Sequence, residues 1–140
     1  MTLKKFIENN DVDFTKNRVG MDSIPAIEKE VGVAFGGELV KYIVKYGYLA
    51  FEDIEFYGIN SKQNLDSDMV KQTTYLHKYF PKTVGYVALE NQGEGHYHII
   101  ATDDTVYEYV SSADQLISTE KKLLSFILDR FQSICEQPKD

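Results

Sequence analysis

His96 and His98 stand two apart on a predicted strand, so both imidazoles point to one face. Glu90 and Glu94 are close in sequence, and two imidazoles with a carboxylate could hold zinc. The third histidine, His77, falls on another element, and no tightly spaced set of His and Cys ligands accompanies the pair. The plainer reading is a polar face of a sheet. Gln92-Gly-Glu-Gly95 carries two glycines, yet it is no phosphate loop. It lacks a lysine, no helix follows it, and its own charge is negative. A turn or bulge needing positive φ explains it better. No Gly-x-Ser-x-Gly and no Cys–His pair is present. The single cysteine, Cys135, reads as a packing residue of a helix rather than a nucleophile.

Two acidic pairs remain, Glu52-Asp53 and Asp103-Asp104. Neighbouring residues on a strand face opposite ways, and neighbouring acids in a turn are normally solvated, so neither pair reads as an acid–base couple. Their charge matters more. The chain carries a net −7; Glu52 to Glu108 holds ten acidic and four basic residues, and the flanks hold twelve and eleven. The excess negative charge is thus concentrated in the middle. An acidic surface repels phosphate backbones and argues against nucleic acid as a direct ligand. It could attract a basic protein, or simply keep the chain soluble. Ten tyrosines accompany it. A tyrosine that packs its ring and presents its hydroxyl suits an interface as well as a core rim.

The elements that must position these groups follow from pattern. Tyr86–Glu90, Tyr97–Thr102 and Thr105–Val110 are rich in β-branched and aromatic residues and read as an antiparallel meander. Asn91–Gly95 forms the first loop and Asp103-Asp104 the second connection, whose turn type stays open because it lacks glycine. Upstream, Leu3–Asn9 is a short amphipathic helix, and Asp11–Gly20 is polar and irregular. A second helix starts at Asp22 or Ser23, tolerates Pro25 in its first turn and stops at Gly32. A third follows Gly36-Gly37 and stops at Gly47. Tyr48–Phe51 and Ile54–Ile59 are short strands, and Asn60–Asp66 is a polar loop. Asp66 or Ser67 could cap a fourth helix through Tyr79, with Pro81 at its exit. Ser118 is placed to cap a long final helix bearing Leu124, Ile127, Phe131 and Ile134, and Gln137–Asp140 is a tail. Helices packed on a largely antiparallel sheet make an α+β fold, with residues 1–140 as one domain. No run of about 18 apolar residues spans a membrane, and the first ten residues do not form a signal peptide.

Ile24-Pro-Ala-Ile-Glu-Lys-Glu-Val-Gly32 and Leu39-Val-Lys-Tyr-Ile-Val-Lys-Tyr-Gly47 resemble the opening helices of the SMI1/KNR4 (SUKH) superfamily. Glu90-Asn-Gln-Gly-Glu-Gly-His-Tyr-His-Ile99 is similar to its strand–turn–strand, and Ser125-Phe-Ile-Leu-Asp-Arg-Phe131 to its closing helix. The chain has Phe35-Gly36 where the family usually carries Leu-Pro. The resemblance implies a non-enzymatic α+β domain without cofactor. Bacterial members are mostly cytoplasmic immunity proteins that bind and block a cognate toxin, often a nuclease. On that reading the partner is the toxin's basic C-terminal domain. Glu52, Asp53, Glu55, Glu90, Glu94, Asp103 and Asp104 are then the expected contacts, with Tyr57 and Tyr97 as aromatic anchors. The other readings are a regulatory scaffold, as in fungal members, and a small metal-dependent enzyme using His96 and His98.

Overall fold

The alternating apolar runs become two antiparallel sheets in a computed structural model, which describes residues 1–15, 19–59 and 65–136. The elements follow as α1 (Leu3–Asn9), β1 (Asp13–Phe14), α2 (Ile24–Val31), α3 (Gly37–Lys45), β2 (Leu49–Phe51) and β3 (Ile54–Phe56). Then come α4 (Met69–Tyr79), β4 (Val87–Gly93), β5 (His96–Ile100), β6 (Thr105–Val110), β7 (Gln115–Lys122) and α5 (Leu123–Cys135). The small sheet runs β1-β2-β3 and the large one β4-β5-β6-β7. The strand β1 lies inside the stretch expected to be irregular. Part of the expected loop Asn60–Asp66, residues 60–64, and the tail Gln137–Asp140 lie outside the described residues.

The two helix stops act as the sequence predicts. Gly32 and Gly47 sit at φ 74° and 73°, where a Cβ would be strained. The fourth helix is capped by neither Asp66 nor Ser67. Both belong to a 3-10 turn, Leu65–Ser67, and Asp68 takes the cap, its carboxylate accepting the Lys71 N–H.

The meander is longer than its sequence pattern. Asn91–Gly93 continue β4, and only Glu94-Gly95 turn, both at positive φ, as a tight hairpin requires. At the other end, Gln115–Lys122 form a fourth strand instead of leading into the last helix. Leu116 pairs with Tyr109 and Ile117 with Glu108. Ser118 caps no helix; its hydroxyl accepts the Glu120 N–H inside an irregular stretch of β7. Pairing with β6 outweighs the local helix signal.

The start of α3 shows how tertiary contacts replace local caps. Gly36 has no side chain to offer, and the Asp104 carboxylate from the β5–β6 turn accepts the Glu38 and Leu39 N–H groups, each at 3.0 Å. Asp104 is buried, an anion set against a helix N-terminus. Glu38 in turn accepts the N–H of Leu124 at the start of α5. Asp104→Ala is expected to lower stability by about 2 kcal/mol, as a lost buried cap does. Asp104→Gly should recover part of that, because Asp104 holds φ 72°. Urea denaturation checks both; equal losses would show that the backbone angle contributes nothing.

The core centres on α5. Phe131 contacts the rings of Phe6, Phe51 and Phe56 at 5.5–5.7 Å, joining α1, the small sheet and α5. Leu123, Phe126 and Ile127 complete the buried stripe, while Leu124, Leu128 and Ile134 are half-buried beside it. Cys135, expected to pack, is exposed. On the large sheet, Phe126 packs edge-on to His98 on one face, and Phe80 meets Tyr97 and Tyr109 on the other. So α5 covers one face, and the exit of α4 covers the opposite one.

Candidate functional site

Among the described residues, one backbone hydrogen bond joins the end of the small sheet to the edge of the large one. In β4, Ala88 pairs with Ile99 and Glu90 with His98, leaving Leu89 without a partner at a bulge. The Leu89 carbonyl accepts the Tyr57 N–H at 2.8 Å, just beyond β3. The seam that results opens into a cleft of about 450 Å³. Asp53 and Glu55 come from the small sheet, Tyr57 from the seam, Asp66 from the 3-10 turn, and Glu90, Asn91 and Gln92 from β4. Alternation explains Glu55: Ile54 and Phe56 are buried, so the residue between them faces out.

Four expected contact residues therefore share this cleft: Asp53, Glu55, Tyr57 and Glu90. Glu52 stands beside it in the exposed two-residue β2–β3 turn, at φ 54°. Glu94 is at the exposed tip of the β4–β5 hairpin. Tyr97 pairs with Asn91 and is half-buried, its ring turned to Phe80. Asp103 and Asp104 lie at the far end of β5, one strand length away, and do not join the cleft. Asp103 is exposed; its carboxylate accepts the Thr105 N–H at 2.9 Å and lies 3.6 Å from the Lys122 ammonium. Those contacts, the hydrogen bonds to Thr105 foremost, hold its pKa below the usual carboxylate range.

Three of the expected contacts are buried rather than surface groups. Asp104 caps α3, as described. Tyr57 is 6% exposed. Burial pushes its hydroxyl pKa up, and the neighbouring Tyr97, Glu55, Glu90 and Asp66 push it the same way. Tyr57 lines the cleft as a neutral phenol. Glu90 is 5% exposed. One of its oxygens lies 2.7 Å from His98 Nδ1, and the other accepts from the Arg130 guanidinium of α5. A carboxylate only accepts, so Nδ1 carries the proton. The histidines thus differ from the expected exposed pair. They do share a face, but His98 is buried against Phe126, and His96 is half-exposed with Glu108 at 3.1 Å. Among the described residues no three His, Cys, Asp or Glu side chains are grouped to hold a metal.

Glu55 is also engaged. It accepts from Ser67 Oγ at 2.5 Å and from the Tyr48 hydroxyl at 2.6 Å, which ties the 3-10 turn to β3. Asp53 is exposed. The cleft is thus partly braced from within, with Asp53 facing solvent. Sequence reasoning passed over Arg130, Asn91 and Gln92. Arg130 carried a signal, since it lies one turn beyond Phe126 and beside the apolar stripe of α5.

Tyr42 anchors the floor beneath the seam. It is wholly buried and donates to the Tyr57 carbonyl at 2.7 Å, and burial drives its pKa far up. In the unfolded chain tyrosine ionises at about pH 10, while in the folded chain Tyr42 and Tyr57 keep their protons beyond it. The stability these tyrosines contribute is therefore fully present below that pH and is lost as pH rises beyond it. Urea midpoints should drop between pH 8 and pH 11, and drop less in Tyr42→Phe. Identical slopes would remove Tyr42 from the account.

Helices packed on two antiparallel sheets make an α+β fold, as expected, and are consistent with an SMI1/KNR4 domain. The family model SUKH_5, described as SMI1-KNR4 cell-wall, matches residues 3–132, and the chain belongs to this family. Membership is consistent with a toxin-immunity function. No curated protein matches the sequence. No helix of the described residues is long and apolar enough to cross a membrane.

Proposed function

We propose that this protein is an immunity protein: it neutralises a cognate toxin domain by binding it, without catalysing a reaction and without a cofactor. The observation that carries the reading is the cleft at the sheet seam, where Asp53, Glu55, Asp66 and Glu90 converge with Tyr57. A nuclease needs a basic surface to hold phosphates, and an acidic concave surface complements one. The same charge repels nucleic acid itself. Glu90 and Glu55 are committed to bracing the walls, which argues against acid–base chemistry, and the charge offered to a partner is chiefly that of the exposed Asp53 and the neighbouring Glu52. The reading places the protein in the cytoplasm, in keeping with a lone cysteine.

Binding to the C-terminal domain of a candidate cognate toxin, measured by calorimetry at two salt concentrations, tests the reading. A one-to-one complex that weakens with salt is expected. Glu52→Lys with Asp53→Lys reverses two exposed charges at the rim of the cleft. Association should slow by about ten-fold or more at low salt, with the thermal midpoint retained. An unchanged association rate would move the interface away from the cleft, and absence of a complex would remove that partner.

A further inference from the structure

A second depression lies at the opposite end of α5 and has the opposite character. The acidic region reaches the C-terminal part of α5, where Ser133 and Ile134 line a polar hollow with Asp53 and Glu90. At the N-terminal part, α1, α3 and α5 enclose a groove of about 310 Å³. Leu3, Tyr46 and Leu128 form its apolar floor, and Lys4, Lys41 and Lys45 stand around it. Lys41 and Lys45 are one helical turn apart on α3 and so share a face; Lys4 comes from α1.

What sets these lysines apart is their grouping: all three stand around one apolar floor. The chain carries 22 acidic residues against 15 basic ones. None of the three joins an ion pair among the described residues, as is also true of Lys5, Lys29, Lys71, Lys78 and Lys82, so their charge is open to a partner. Lys45 lies 5.4 Å from the centre of the Tyr46 ring, over the groove floor. Three unneutralised cations around an apolar floor repel one another and favour whatever brings negative charge to them. Floor and rim together call for an apolar side chain flanked by carboxylates.

We infer that this groove is a docking site for an acidic, apolar segment of a partner polypeptide. It is distinct from the acidic cleft and independent of the immunity reading. The segment's bulky apolar side chain enters between Leu3, Tyr46 and Leu128, and its flanking Asp or Glu side chains pair with the lysines. The desolvated apolar anchor supplies affinity, and the charges supply orientation and rate.

The test uses the full chain labelled with ¹⁵N and a synthetic peptide alternating leucine and glutamate. Amide shifts clustered at Leu3, Lys4, Lys41, Lys45 and Leu128, weakening with salt, are expected. The shifts should vanish in Lys41→Glu with Lys45→Glu, at least ten-fold in apparent affinity, while the thermal midpoint stays within a few degrees because both side chains are exposed. A control peptide with lysine for glutamate should not bind. The inference is overturned if the acidic peptide produces no shifts at millimolar concentration, or shifts that survive the double charge reversal. It is also overturned if inorganic phosphate alone reproduces the pattern, which would mean a small-anion site. Concentration-dependent shifts of the same amides without peptide would assign the groove to a second copy of this chain and overturn it equally.

Discussion

Glu90→Ala is expected to destabilise the protein by about 3 kcal/mol or more, the cost of breaking a buried ion pair from one side. The Glu90 and His98 side chains are each 6% exposed, and Arg130 is 27% exposed. Removing the carboxylate leaves His98 without its acceptor against Phe126. It also leaves Arg130 beside a new cavity, with an Nε that already lacks a partner among the described residues. Arg130 can swing towards water and recover part of its solvation, which keeps the cost near the lower end of the range. For a chain of this size the loss corresponds to a fall in thermal midpoint of roughly 10 °C. Glu90→Gln keeps shape and hydrogen bonding but not charge, so it should lie between alanine and the unaltered protein. A double-mutant cycle with Arg130→Ala measures the coupling directly. A loss below about 1 kcal/mol for Glu90→Ala would contradict a bracing role. The result also bears on function: Glu90 shapes the cleft wall, so a binding defect in its variants reports a lost wall as much as a lost contact.

Gly58→Ala should be damaging for a different reason. A Cβ at Gly58 would stand 1.8 Å from the Gly47 carbonyl oxygen and 2.7 Å from Tyr48 Cβ. That carbonyl cannot simply retreat, because it accepts the Ile59 N–H at 3.1 Å. Gly58 itself donates to the Ser67 carbonyl at 3.0 Å and accepts the Met69 N–H at 2.8 Å. Relief must therefore break backbone bonds that join β3, the 3-10 turn and the start of α4. The cost should reach or exceed the about 3 kcal/mol at the upper end of ordinary overpacking. Asp66 rides on the same turn, so the cleft should lose its shape along with the stability. Gly37→Ala is the control: nothing lies within 4 Å of its Cβ position, in the first turn of α3. It should be neutral or slightly stabilising. Denaturation of the two variants side by side decides the matter, and equal midpoints would refute the close-packing account.

The helices and most strands are legible in the amino-acid pattern alone. Ile24, Ile27 and Val31, and Leu39 and Ile43, repeat at helical spacing, and Gly32 and Gly47 stop each helix where an L side chain would be strained. These are local properties of the backbone and of periodicity, so they can be read without the fold. The order of motifs sufficed for the family. What the polar residues do became visible with the fold. Asp103-Asp104 looked like one acidic pair in a turn, yet the first faces water and the second caps a helix 65 residues away in the chain. Glu90 and Glu55 looked like surface charge, but His98 and Arg130 engage the one, and Tyr48 and Ser67 the other. Gln115–Lys122 became a strand because β6 offered an edge. In each case the deciding partner is distant in sequence, and a side chain's hydrogen-bond partners depend on which elements the fold brings beside it. Apolar spacing is fixed by the helix or strand it sits on, whereas the fate of a buried charge is fixed by the neighbours that desolvate and satisfy it.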